Sequence, residues 1–315
     1  MMETAANPAR LSEQLDDGLA AVERAMLDVT DSQVEVLGEA SRHILSAGGK
    51  RIRPRLLMLS YLALGGDDIM SVAKPAAAIE LMHTASVVHD DINDHGTMRR
   101  GRPSVNAIWG RTFALLTGDF LFTAVYELMA PYRDLNVDLA RAATALVEGE
   151  TLQASAVKNN SFTREVYMDI IALKTAALFR AAAVIGAKMA NASRSEIESL
   201  ADFGFKVGLA FQIVDDILDI VADDESLGKT SGIDVGQGRG VAVALHAPNG
   251  NGSAQAFDPL DAIKRKMMEG DTIDKARAHA ALLADGAVAE LAGLAESPAK
   301  SALAELALLV IDRET

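Results

Sequence analysis

The chain has 315 residues, more than one hydrophobic core usually serves, although a large helical bundle can still be a single domain. Half of the residues are apolar and none is cysteine, which supplies a sizeable core, excludes disulfides and thiolate metal sites, and points to a reducing compartment. A net charge of −14 argues against nucleic acid as a partner and requires any anion-binding cations to be concentrated locally.

The opening MMETAANPAR lacks a basic start followed by an apolar run, so no signal peptide is expected. Later apolar stretches are broken by Lys174, Arg180 or aspartates, so no membrane span is expected either, and a soluble, cytoplasmic protein is the reading. Residues 8–29 carry Leu11, Leu15, Leu19, Val22 and Met26 at spacings of three and four, the pattern of an amphipathic helix. A second helix from about Gln33 stops at Gly48 and Gly49. There GGKRIRPR begins, placing Lys50, Arg51, Arg53 and Arg55 directly after two glycines that let backbone approach a ligand closely. A basic helix start on the surface would read the same. Pro54 belongs in the first turn of the following helix, whose packing comes from Leu56, Leu57, Leu59 and Leu62.

A long helix is expected from Asp67 to Asp91, leading into HTASVVHDDINDHGTMRRGRP. Asp90 and Asp94 are four apart and stack one turn above the other, with Asp91 turned about 100° aside. Arg99 and Arg100 follow, and Gly101 and Pro103 signal a turn. Carboxylates so spaced suit Mg²⁺, which bridges them to phosphate oxygens, while arginines grip the same phosphates with bidentate hydrogen bonds. A single copy reads more readily as a solvated acidic helix end followed by a basic loop. The second copy, Asp215, Asp216 and Asp219 in FQIVDDILDIV, does not, because its carboxylates lie among Ile213, Val214, Ile217 and Leu218, and buried charge must be paired or bound to metal.

Between the two copies, SVNAIWGRTFALLTGDFLFTAVYELMAPY predicts helices interrupted near Gly110 and Gly118 and ending at Pro131, with its aromatics in the core. DLARAATALVEGETLQAS is a strong helix. YMDIIALKTAALFRAAAVIGA sets Lys174 and Thr175 inside an apolar helix, where the ammonium must find an anion or snorkel to the surface. Residues 194–222 form the helix of the second motif. After Val221 a glycine-rich polar loop is expected, then a flexible surface insertion near 246–257, then three helices from about Asp258 to Thr315 that serve packing and interface.

The two aspartate motifs, the RRGRP after the first, the FQ before the second and the GGKRIRPRL near the N-terminus together resemble the trans-prenyl diphosphate synthases, the polyprenyl synthetase family, from about Gly48 to Gly240. The resemblance implies one all-α domain spanning 1–315, a single large helical bundle around a central cavity with the isoprenoid synthase fold. It implies a homodimer and head-to-tail condensation of isopentenyl diphosphate with an allylic diphosphate, dependent on Mg²⁺ with three ions per site. By the same resemblance Asp90, Asp94, Asp215 and Asp219 bind metal, and Asp91 and Asp216 complete the catalytic motifs. Lys50, Arg53, His83 and Arg100 hold isopentenyl diphosphate. Arg99, Lys174, Thr175, Gln212 and Lys229 contact the allylic diphosphate. Glu148, Glu150 and Gln153 match the family's EGE segment, and Asp234 its loop aspartate. Where the family usually has a glycine-lysine pair this chain has Gly238 and Arg239, which replaces the lysine's charge but not its geometry.

In the family the prenyl tail grows along the face above the first motif. Here that face carries Ala85 and Ser86, both small, which implies an open channel, a product of geranylgeranyl length or longer, and a floor at Met82, Phe120, Phe122 or the Leu56 helix. Two other readings share parts of the pattern. A class I terpene cyclase needs neither an isopentenyl pocket nor a second DDxxD, and a non-catalytic subunit of a heteromeric synthase would normally have lost one motif.

Overall fold

The structure is a computed structural model that describes residues 8–234 and 272–312, with side chains over 9–219 and 273–312. The N-terminal helix α1 (Pro8–Val29) buries Leu15, Val22 and Met26 along the expected stripe. Helix α2 (Glu35–Leu45) leads through Gly48 and Gly49 into α3 (Ile52–Ala63), which has Pro54 in its first turn. A 3₁₀ turn, Ile69–Val72, capped by Asp68, precedes α4 (Ala73–Asn93). The expected helix from Asp67 therefore starts later, because Pro75 has no N–H to bond back into an earlier turn.

A two-stranded hairpin, β1 (Met98–Arg99) and β2 (Arg102–Pro103), follows, and then α5 (Val105–Met129), α6 (Leu135–Lys158) and α7 (Arg164–Ile171). A π-helical turn, Ala172–Ala176, joins α7 to α8 (Ala177–Met189). Helix α9 runs Arg194–Asp234, so helix continues where a loop was expected after Val221. Helices α10 (Thr272–Glu290) and α11 (Pro298–Ile311) close the described chain. The insertion near 246–257 and the first of the three expected C-terminal helices lie outside the described residues.

Helix α4 is the axis. Ala76, Ala77, Ile79, Leu81, Met82, Ala85 and Val88 bury every side of it, the signature of a helix surrounded by others rather than laid on a surface. It packs on α5, α1, α3 and α8, while α9 packs on α8, α10 and the π turn, and α3 bridges α4 to α8. Helix α5 breaks at Gly110, whose φ of 80° and ψ of 167° lie outside the helical region. At Gly118, the second expected interruption, it runs on. The glycine is there for space, since a Cβ would collide with the His89 ring of α4. Two stretches, Val105–Met129 and Arg164–Met189, are after all long and apolar enough to cross a membrane by length and composition, and the second is 72% buried in the bundle, as core helices are.

Close helix crossings depend on small residues. A Cβ on Gly186 of α8 would collide with the backbone oxygen of Leu57 in α3, which cannot swing aside as a side chain could. Gly186→Ala is therefore expected to push α3 from α8 and destabilise the protein by about 1 to 3 kcal/mol, a loss that thermal unfolding measures directly.

Candidate active site

The last three turns of α4 present His83, Thr84, Ser86, Val87 and Asp90 to one cavity of about 350 Å³. These are i, i+1, i+3, i+4 and i+7, one face of a helix. From α9 come Phe211, Gln212 and Asp215, and from the π turn Lys174 and Thr175. A π turn carries one extra residue per turn, which brings two adjacent side chains of an otherwise regular helix to the same wall. The first aspartates of the two motifs thus share one cavity, although they are far apart in the chain.

The cations arrive on two tight turns. Gly48, Gly49 and Arg51 all have positive φ (72°, 150° and 47°), which folds the chain so that Arg51 and Arg53 reach the cavity. Arg51 is buried and donates to Glu80 Oε1 at 3.0 Å and to the Leu45 carbonyl at 3.2 Å. Arg53 lies over the Phe179 ring, 4.6 Å from its centroid, a cation–π contact that holds the guanidinium. The hairpin tip is Arg100 and Gly101, both at positive φ (50° and 73°), as a two-residue turn of the kind that matches strand twist requires. That turn throws Arg99 and Arg100 back to the cavity wall. His43 and Ser46 of the α2 end fasten the hairpin, His43 Nε2 lying 2.8 Å from the Pro103 carbonyl and Arg102 donating to Ser46 Oγ at 3.1 Å.

Several of these charges are paired. Lys174 Nζ lies 2.6 Å from Glu150 and 3.4 Å from Asp90. Burial works against its charge, but Asp90 and Glu150 more than offset that and raise its pKa, so it stays an ammonium. Burial pushes Asp90 up from 3.8 to about 6, with Lys174 pulling it down and Glu150 raising it further. Arg99 donates twice to Asp91 Oδ1, at 2.6 and 3.1 Å, and so stays charged despite burial. His83 is held well below 6.5 by burial and by Arg53, Arg100, Arg99 and Arg51, so it is a neutral imidazole at neutral pH.

Several sequence-predicted residues lie elsewhere. Asp91 and Asp216 are 2% and 1% exposed and do not line the cavity; Asp91 holds Arg99, and Asp216 accepts from Tyr167 and Gln212. Asp94 and Asp219 are exposed, one turn beyond Asp90 and Asp215. Lys50 is exposed and outside the lining, while its neighbour Arg51, given no ligand role from sequence, is inside it. Of the three expected channel residues, Ser86 lines the cavity, whereas Ala85 and Met82 are buried in the core. The side chains of Lys229 and Asp234, and all of Arg239, lie outside the described residues. Thr84 and Val87 were missed although they share the helical face of His83 and Asp90, a signal that periodicity could have supplied.

Among the described residues no three carboxylate or imidazole groups converge to hold an ion by themselves. A divalent cation here would complete its shell from water and from a bound anion, which is how Mg²⁺ prefers to be held. The donor set of Asp90 and Asp215 suits such a hard cation, and a cation beside Asp90 would favour its ionised form and draw its pKa back down.

The pattern that defines the polyprenyl synthetase family matches residues 34–279. The chain is 40% identical to the short chain isoprenyl diphosphate synthase of Methanothermobacter thermautotrophicus, over 93% of this chain and 95% of that one. It is 35% identical to the octaprenyl diphosphate synthase of Escherichia coli, over 98% and 99%. A crystal structure of polyprenyl synthase from Caulobacter crescentus, complexed with calcium and isoprenyl diphosphate, superposes with a TM-score of 0.81 at 30% identity and covers both chains fully, 100% each. The all-α bundle, its cation-lined cavity with two motif aspartates and these likenesses along nearly the whole chain lead to one conclusion: the chain belongs to the polyprenyl synthetase family and is a prenyltransferase.

Proposed function

We propose that this enzyme condenses isopentenyl diphosphate head-to-tail with an allylic diphosphate, in the presence of Mg²⁺, to an all-trans polyprenyl diphosphate of geranylgeranyl length or longer. One observation carries the reading: Asp90 and Asp215 face a single cavity that also holds Arg51, Arg53, Arg99, Arg100 and Lys174. Five cations on one wall suit the binding of two diphosphates.

In this reading Arg99 and Lys174 hold the allylic diphosphate, with Lys174 by the leaving oxygen, and Thr175 and Gln212 line the allylic end of the wall. Arg51, Arg53 and Arg100 grip isopentenyl diphosphate, and neutral His83 adds a hydrogen bond without adding charge. Asp90 and Asp215, with Asp94 and Asp219 one turn outward, would hold Mg²⁺, which supplies Lewis acidity to the departing diphosphate. Fixing both reactants between α4 and α9 supplies the proximity contribution. The apolar packing behind Phe211 and Val87 excludes water from the reacting carbons. No side-chain base is needed, because the departed diphosphate can take the proton released when the new double bond forms.

Ser86 is the small residue on the wall, and its size supports a long product. Ile108, Leu115, Leu116 and Tyr126 are 46%, 49%, 49% and 73% exposed along α5, an apolar face that supports a homodimer. We place the enzyme in the cytoplasm on its lack of cysteine.

Purified protein given isopentenyl diphosphate, an allylic primer and Mg²⁺ is expected to release diphosphate and yield prenyl products whose length chromatography measures; a cyclised hydrocarbon, or no product, would sink the reading. Ser86→Phe is expected to shorten the product distribution by at least one isoprene unit, and Leu115→Glu to turn a dimer into a monomer in sedimentation.

Asp90 also sets a stability effect. Its folded value of about 6 exceeds 3.8, so above pH 6 the folded chain carries a carboxylate that the unfolded chain holds at lower cost. The ionised group then destabilises the fold by about 3 kcal/mol, and the penalty fades as pH falls through 6 and is gone below 3.8. Asp90→Asn is expected to stabilise the chelator-treated protein by about 1 to 3 kcal/mol at pH 7.5 and by nothing near pH 3.5, read by denaturant titration, while abolishing synthase activity.

A further inference from the structure

Tyr167 of α7 is 7% exposed, and the synthase reading gives it no role. Its hydroxyl donates to Asp216 Oδ2 at 2.7 Å. Gln212 Nε2 donates to Asp216 Oδ1 at 3.2 Å, and Thr175 Oγ1 donates to Gln212 Oε1 at 2.7 Å. The chain of hydrogen bonds begins in the core, among Ile213, Val214 and Ile217, and ends on the cavity wall at Gln212 and Thr175.

The direction of every bond is fixed by its first two members. A carboxylate only accepts, so Gln212 must turn its amide nitrogen to Asp216 and its carbonyl to Thr175, and the Thr175 hydroxyl must then give its proton to Gln212. Burial, with the Asp216 charge, raises the Tyr167 pKa, so the phenol remains a donor.

We propose that Tyr167 is a positioning residue which, through Asp216, fixes the Gln212 amide so that Thr175 turns oxygen lone pairs, and no proton, toward the reaction cavity. The inference rests on the synthase reading and deepens it. In that reaction the bond between the allylic carbon and the diphosphate oxygen breaks, its electron pair leaves with the diphosphate, and positive charge develops on the prenyl fragment. An oxygen with its proton pointed away stabilises that charge, whereas an O–H pointed inward opposes it. Asp216 is then the anchor of this chain rather than a metal ligand, which accounts for its 1% exposure.

Tyr167→Phe removes one hydroxyl and keeps the ring that fills the apolar site. Expected is a fall in kcat of about 10- to 100-fold, with the KM of both substrates and the Mg²⁺ concentration for half-maximal rate unchanged. Asp216→Asn is expected to do the same, and the double variant to be no worse than the poorer single one. Full activity of Tyr167→Phe would overturn the inference, as would a fall that comes with raised KM for both substrates and an equally lowered Tm. A Mg²⁺ requirement shifted in Asp216→Asn would overturn it too, by making Asp216 a metal ligand. If Tyr167→Phe does not fold, Asp216→Asn alone decides by the same readings. A wild-type protein without synthase activity would overturn the reading and the inference together, whereas an active wild type with an unaffected Tyr167→Phe overturns the inference alone.

Discussion

Charge inside an apolar bundle is the constraint on which this structure turns. Each buried ion loses several kcal/mol of hydration, and an apolar replacement of equal volume would usually stabilise the fold. Yet α3, α4, α9 and the π turn all carry charge toward their common centre, and opposite charges are joined there: Arg51 with Glu80, Arg99 with Asp91, Lys174 with Glu150 and Asp90. The positions of the elements follow from these pairs. Helix α6 must lie against the π turn for Glu150 to reach Lys174, and Gly149 makes that approach possible, since a Cβ there would stand 2.8 Å from the Lys174 backbone nitrogen.

The two aspartate motifs solve the same geometric problem with different fasteners. In each, the first carboxylate faces the cavity, and the second, about 100° round the helix, faces protein and is tied down. Arg99 ties Asp91, so a residue of the cavity wall also fixes the helix end that carries the motif. Tyr167 and Gln212 tie Asp216. The adjacent pair of aspartates therefore has two jobs that no single residue could do: one group offered to a ligand, and one holding the helix so that the offer has a fixed direction.

How much of this was legible depended on range. Helix α1 and the Pro54 start came from local spacing and turn chemistry, which are written within a few residues, whereas the all-α architecture was what the family resemblance implied. The distinction between Asp90 and Asp91 also came from spacing, though not which of them stays outside the cavity. What failed was what depends on distant neighbours. Gly118 signals a break by propensity, but His89 across the helix pair is its reason. Lys50 and Arg51 are adjacent cations, and only the left-handed turn at Arg51, closed by Glu80, decides which goes inward. Tyr167 looks like any core aromatic until a residue 49 positions away accepts its proton.

Lys174 shows how such a site can be stably packed and yet suited to a polyanion. Its closer partner, Glu150 at 2.6 Å, belongs to α6 and lies outside the cavity lining, whereas its weaker partner, Asp90 at 3.4 Å, belongs to the wall. In the proposed reaction an arriving diphosphate and its cation would offer each member of the weaker pair a new partner, phosphate for Lys174 and metal for Asp90. Such an exchange would leave no buried charge alone at either stage, and the Glu150 contact would keep the ammonium from following its new partner out of place. The raised Asp90 value belongs to the same logic, since a carboxylate whose ionised form is disfavoured by burial gains more from a cation than one already satisfied by water.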